Sequence, residues 1–181
     1  MGFQTELASP DTSLFIFPFI LMFTWNFLVG IWVQIWGKRD NSWMDVNYGL
    51  CFIIPNTYIF IARYDEITAR MILVTAIIWF WGVRLAYHIW ARHVGEDYRY
   101  KEMREEWEAD GNCIYYMKAF GFIYFMQGIF ATIVNLSALF INLYSKTDAA
   151  DDSGLYGLWY TDLFGFIVWI AGFLIECIAD S

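Results

Sequence analysis

Charge is scarce in this sequence of 181 residues: only 17% are charged and only 11 are Lys or Arg. Soluble domains run near about 25% charged and about 45–50% apolar. No Lys/Arg-rich run occurs and the net charge is −8, which argues against nucleic-acid binding. Cysteine is scarce as well. Cys51, Cys113 and Cys177 are an odd count at spacings that match no zinc pattern. Cys51 and Cys177 lie in apolar segments and read as packing thiols. His88 and His93 are the only histidines, too few for a His-built metal or haem site, and no metal is expected. GxGxxG, P-loop, HExxH and GxSxG patterns are all missing. The first 13 residues carry Glu6 and Asp11 but no base, so they lack the marks of a secretory signal or transit peptide. Glu6 also spoils a myristoylation motif at Gly2.

What the sequence has is apolar and aromatic surface: 59% hydrophobic residues, with 17 Phe, 12 Tyr and 10 Trp. That composition points to an all-α integral membrane protein forming a single membrane domain over 1–181. A spanning helix needs about 20 largely apolar residues. Five stretches qualify: 14–36, 46–62, 67–90, 119–145 and 163–179. None alternates polar with apolar residues, as barrel strands would. The stretch 96–110 is rich in helix formers and reads as a short interfacial helix after the third span. Ser42 and Asp45 read as a capping box opening the second span, and Asp65 as a cap for the third. The acidic stretch 148–157 reads as a loop.

Orientation follows from the bases. With five spans, Lys38, Arg39, Arg92, Arg99, Lys101, Arg104 and Lys118 fall on the C-terminal side, and Arg63, Arg70 and Lys146 on the other. The positive-inside rule puts the basic side in the cytoplasm or its organellar equivalent.

Small and polar residues form stripes. Gly121, Gly128, Asn135 and Asn142 recur every seven residues, bordered by Gln127, Ala131 and Ala138. Gly165, Gly172 and Glu176 share a face of the last span, and Asn26, Gly30 and Gln34 one of the first. In lipid, small residues allow close approach and polar ones hydrogen-bond across the contact, so these faces are expected to pack on protein. A charged stripe is more informative. Arg84, His88 and Arg92 recur every four residues, followed by Glu96, Asp97, Arg99 and Tyr100. Guanidinium groups and an imidazole on one face can hold a phosphate, a lipid head group or a cofactor pyrophosphate. The alternative is that Arg84 and Arg92 pair with Glu96, Asp97 or Glu176. Glu176 and Asp180 are themselves i,i+4 neighbours.

The order of motifs resembles a known family. Asp45-Val-Asn-Tyr-Gly-Leu50 is similar to a D-x-x-W-G-x element, with Tyr48 in place of Trp. Trp81-Gly-Val-Arg-Leu-Ala86, then His88, Arg92, Gly95, Glu96, Asp97, Arg99 and Tyr100, resembles a W-G-x-R-L-A…H…R…G-x-E-D-x-R-Y signature. Gln127-Gly128 and Gly172-Phe-Leu-Ile-Glu176 with Ala179-Asp180 match further elements. The family is the DUF1295 branch of the steroid 5-alpha-reductase-like membrane proteins, distantly related to isoprenylcysteine methyltransferases.

The resemblance implies NADPH-dependent reduction of a conjugated double bond in a steroid or other lipid enone. Hydride goes to carbon while a positioned acid stabilises the forming enolate. In the family the A-D element is followed by more helices and an R-H-P-N-Y-x-G-E type segment that supply much of the cofactor pocket. Here Ser181 follows Asp180, so the resemblance is expected to cover the N-terminal portion only. No catalytic residue is assigned, and no cofactor is expected for this chain alone; NADPH is the cofactor if the enzyme reading holds.

The expected role is an accessory subunit of a larger membrane complex, of respiratory type in the mitochondrial inner membrane. The endoplasmic reticulum is the alternative location. The alternative role is an enone reductase, intact in a longer chain or completed by a second one. Membrane lipids, anionic phospholipid among them, and other membrane subunits are the expected partners. Lys38, Arg39, Arg92, Arg99 and Lys118 would ring the interface that holds acidic head groups.

Overall fold

A computed structural model describes residues 12–145 and 158–180. The acidic stretch 148–157, Lys146 and the residues before Thr12 lie outside it. The described residues form helices α1 (Thr12–Ile35), α2 (Trp43–Ala62), α3 (Ala69–Arg92) and α4 (Tyr98–Ala109), then α5 (Asn112–Lys118), α6 (Met126–Tyr144) and α7 (Tyr160–Ala179). A 3₁₀ turn (Tyr64–Glu66) precedes α3, and a π-helical segment (Ala119–Phe125) fuses α5 to α6. No β-strand occurs among the described residues.

Four helices are long and apolar enough to cross a membrane: Ser13–Ile35, Ala69–Arg92, Asn112–Tyr144 and Tyr160–Ala179. That is the pattern of an integral membrane protein. The second stretch expected to span, now α2, is not among the four. It carries Asp45, Asn47, Asn56 and Thr57, and it packs against α1, α3 and α6. Surrounded by protein, α2 need not offer lipid an apolar surface. Pro55 interrupts its hydrogen-bond ladder. In the same turn Asn56 and Thr57 donate to the carbonyls of Phe52 and Ile53 at 2.8 and 2.7 Å.

Backbone approach holds α2 to α3. A Cβ added at Gly49 would collide with the Gly82 carbonyl. Asparagines knit the rest. Asn47 donates to Asn26 on α1 at 2.9 Å. Asn56 donates to Asn135 on α6 at 2.8 Å, and Asn142 donates to Asn56 at 2.9 Å and to Thr75 on α3 at 3.3 Å. Gly30 abuts the Tyr124 ring, whose hydroxyl is held by Gln34 and Asn41.

Several local expectations need correction. Ser42 does not cap α2 through its side chain; its hydroxyl donates to Asp40 at 2.6 Å instead. Thr68, not Asp65, caps α3 by accepting from the Met71 N–H at 3.2 Å. The 96–110 helix runs Tyr98–Ala109, because Asp97 is its N-cap.

Gly121 leaves the stripe it shares in sequence with Gly128. A Cβ at Gly121 would meet nothing within 4 Å, whereas one at Gly128 would lie 2.7 Å from the Phe23 ring on α1. The π segment explains the difference. Its wider turn advances each residue by a smaller angle than an α-helix does. Seven residues counted across it do not return to the same face. Beyond it, Gly128, Asn135 and Asn142 keep α-helical phase and are buried.

Helix α7 sits apart. None of its residues is buried, and a Cβ at Gly165 or Gly172 would meet nothing within 4 Å. Among the described residues, those two glycines therefore pack on no neighbour. Ion pairs tether α7 to α3 at both ends. Arg70 grips Asp162 through two bonds of 3.0 and 2.8 Å. Arg84 reaches Glu176 at 2.6 Å and Asp180 at 2.7 Å.

Candidate functional site: a polar cleft at the end of α3

Where α3 ends, the chain turns through 93–97 into α4 and borders an open cleft of about 980 Å³. Its walls come from the starts of α2 and α6, the last two turns of α3 and the turn itself. Asp40 anchors that turn from across the cleft mouth. It accepts from Ser42 and pairs with His93 at 3.0 Å, and Ser42 in turn accepts from the Asp97 N–H at 2.7 Å.

The charged residues read from sequence fall into two groups. Arg84 belongs to the α3–α7 contact. Its guanidinium is divided between Glu176 and Asp180, Trp81 donates to Glu176 at 3.2 Å, and the Phe173 ring lies 5.3 Å below. Arg84 does not line the cleft. It meets acids, as the pairing alternative expects, and Glu176 is the acid that reading named.

The second group lies on the cleft side. Asp97 accepts from the Arg99 N–H at 2.9 Å and from the Arg99 guanidinium at 3.0 and 3.1 Å. That contact holds the Asp97 carboxyl below its usual value and lifts Arg99 above its own. Tyr100 donates to Asp45 at 2.8 Å, and burial, reinforced by Asp45, raises its phenol. Glu96 is turned onto Arg104 at 2.9 Å, which raises the guanidinium.

His88 and Arg92 remain. Arg92 donates to His88 at 3.1 Å, and the same imidazole lies 3.6 Å from Asp180. Arg92 has no carboxylate partner among the described residues and lines the cleft. Most other bases expected to ring the interface are occupied. Arg39 is held by Glu108 and Tyr116, a contact that raises it, Arg99 is held by Asp97, and Lys118 by Asp110.

Two further cleft residues carry chemistry that the charge pattern did not single out. Tyr48 on α2 and Gln127 on α6 both line it, and neither side chain has a hydrogen-bond partner among the described residues. The available signal for Tyr48 was its departure from Trp in the D-x-x-W-G-x element. No group of His, Cys, Asp and Glu suited to a metal occurs among the described residues.

The fold and the cleft define an all-helical integral membrane protein with a polar site at one end of the bundle. Residues 31–181 match the model of a family described as a protein of unknown function, DUF1295. The chain belongs to that family, which is steroid 5-alpha reductase-like. No curated protein and no solved structure matches it.

Proposed function

We propose that this chain is a lipid-binding accessory subunit of a membrane assembly, built on a reductase-like fold, with five spans that include α2. The supporting observation is how the bases of the stripe are divided. Arg84 is neutralised by Glu176 and Asp180, and Arg99 by Asp97. That leaves Arg92, with His88 beside it, to meet an anion in the cleft. One guanidinium suits a single phosphate or carboxylate head group.

NADPH makes a larger demand, because both its pyrophosphate and its 2′-phosphate need cations or helix N-termini. The cleft offers one guanidinium without a carboxylate partner, that of Arg92, which falls short of that demand. This donor set does not fit a dinucleotide, so no hydride step is assigned to the chain. The accessory role draws support from α7. A helix with no buried residue and an open glycine face is suited to packing against further membrane protein. The mitochondrial inner membrane remains the favoured setting and the endoplasmic reticulum the alternative.

The test is binding by the native protein purified in mild detergent. Dioctanoyl phosphatidic acid should bind saturably, and Arg92→Ala should weaken it about tenfold or more. NADPH should show no saturable binding. Tight NADPH binding that Arg92→Ala or Glu96→Ala abolishes would replace this reading with the reductase one.

A further inference from the structure

Tyr48 and Gln127 occupy one level of the bundle. Tyr48 packs against the cluster of Met22, Cys51, Phe52 and Ala131, and Ala131 lies one turn beyond Gln127 on α6. Gly128 abuts Phe23 on α1, while Asn26, one turn further along α1, bonds Asn47 on α2. A phenol and a carboxamide thus approach the cleft from α2 and α6 with no protein partner among the described residues. Both are half-buried at the wall of an open cleft, where their polar atoms are left for water or a ligand.

Arg92 stands nearer the membrane surface. The Gly49–Gly82 crossing sets Tyr48 near the level of residue 82. Ten helical residues from 82 to 92 rise about 15 Å. Side chains lean toward the N-terminus of their own helix. Helix α2 starts at the cleft and α3 ends there, so Tyr48 and Arg92 lean toward each other and shorten that gap. Leu85, Ile89 and Phe130 supply apolar wall. The volume of about 980 Å³ lies at the upper end of the usual range for ligand pockets.

We infer that the cleft selects an acyl-ester phospholipid with an exposed phosphate. Arg92, positioned by its bond to the His88 imidazole, holds the phosphate. The Tyr48 hydroxyl and the Gln127 amide donate to the ester carbonyl, and Leu85, Ile89 and Phe130 line the path of the acyl chain. Glu96 is paired with Arg104 and Asp97 with Arg99, which also reaches Asp45 at 3.5 Å, so the three carboxylates repel the head group less than bare ones would. This inference rests on the lipid-binding reading above and adds the carbonyl subsite.

The ether-linked analogue of dioctanoyl phosphatidic acid keeps the phosphate and loses the carbonyl, so it separates the two ideas. Binding to the full chain in detergent is followed by tryptophan fluorescence and native mass spectrometry. The ester lipid should bind about tenfold more tightly than the ether, as roughly 1.4 kcal/mol of hydrogen bonding implies. Tyr48→Phe, which keeps the ring edge-to-face with Phe52, and Gln127→Leu should each shrink that preference and leave ether affinity unchanged. Arg92→Ala should weaken both lipids alike. Inorganic phosphate should compete only weakly, because it engages the head-group end alone. Equal affinity for ester and ether, or a preference that survives the Tyr48→Phe/Gln127→Leu double variant, overturns the carbonyl subsite while leaving lipid binding intact. No binding of either lipid, or indifference to Arg92→Ala, overturns the lipid reading and the subsite together.

Discussion

Replacing Arg63 should be among the most damaging single changes to this bundle. The side chain is 8% exposed and closes the C-terminal end of α6. It donates to the carbonyls of Asn142, Leu143 and Ser145 at 2.7, 2.8 and 2.8 Å, and its remaining face grips Glu66 at 2.7 Å. The last carbonyls of a helix have no partner within it, and a cation there also offsets the helix dipole. Removing the guanidinium strands three acceptors at about 1–3 kcal/mol each if they stay dry. Local relaxation and water recover part of that, so Arg63→Ala should cost about 3–5 kcal/mol, the range for breaking a buried charged contact. Arg63→Lys should lose roughly half as much, because an ammonium cannot match the planar fork. Equilibrium unfolding in mixed detergent micelles measures both. A loss below about 0.5 kcal/mol for Arg63→Ala would show that α6 closes without this cap.

Gly128→Leu should destabilise the bundle by about 1–3 kcal/mol, since a Cβ there already lies 2.7 Å from Phe23; an unchanged unfolding midpoint would mean that the ring simply turns aside. The Arg99 guanidinium, and then the Arg99 N–H that Asp97 caps, hold the Asp97 carboxyl below its usual value, so its contribution is present above the usual Asp value of about 3.9 and is lost as pH falls through the lower folded value. The melting midpoint of Asp97→Asn, which keeps a capping side chain, should therefore fall less than that of the parent below about pH 4, and parallel profiles would refute the charged contact with Arg99. The proposed five-span arrangement, in which α2 crosses as α1 and α3 do, places cysteines at Ser13 and Glu106 on opposite sides. Labelling from one side would show that α2 does not cross.

How legible this was depended on whether a feature is local. The apolar runs that became α1, α3, α6 and α7 follow from composition, because lipid rejects unpaired backbone groups and charge over about 20 residues. The polarity of α2 follows from its position among other helices, which no window of sequence reveals. The π segment has an ordinary apolar sequence, Ala119–Phe125. Its extra width became visible only when Gly121 and Gly128 faced different ways. In the same manner, the Arg84–His88–Arg92 stripe and the Glu176–Asp180 pair are each plain from i,i+4 spacing. That they meet depends on two helices more than 80 residues apart in the chain. Arg63 counted as one more interfacial base, because its carbonyl partners carry no side-chain signal.

Depth then explains why one stripe serves two purposes. Eight residues separate Arg84 from Arg92, about 12 Å along the helix axis. A charge deep in the apolar layer is costly unless it is paired, because the Coulomb energy and the desolvation penalty both grow as the dielectric falls. Arg84 sits at that depth, and its two carboxylates are the condition for its being there. Arg92 lies on the last turn of α3, where water and head groups screen it, so it can remain without a carboxylate and available to a ligand. His88 stands between them, 3.1 Å from Arg92 and 3.6 Å from Asp180. Both contacts fall on its Nε2, which accepts from Arg92 and so has no proton to give Asp180; the α3–α7 contact at this end therefore rests on Arg84.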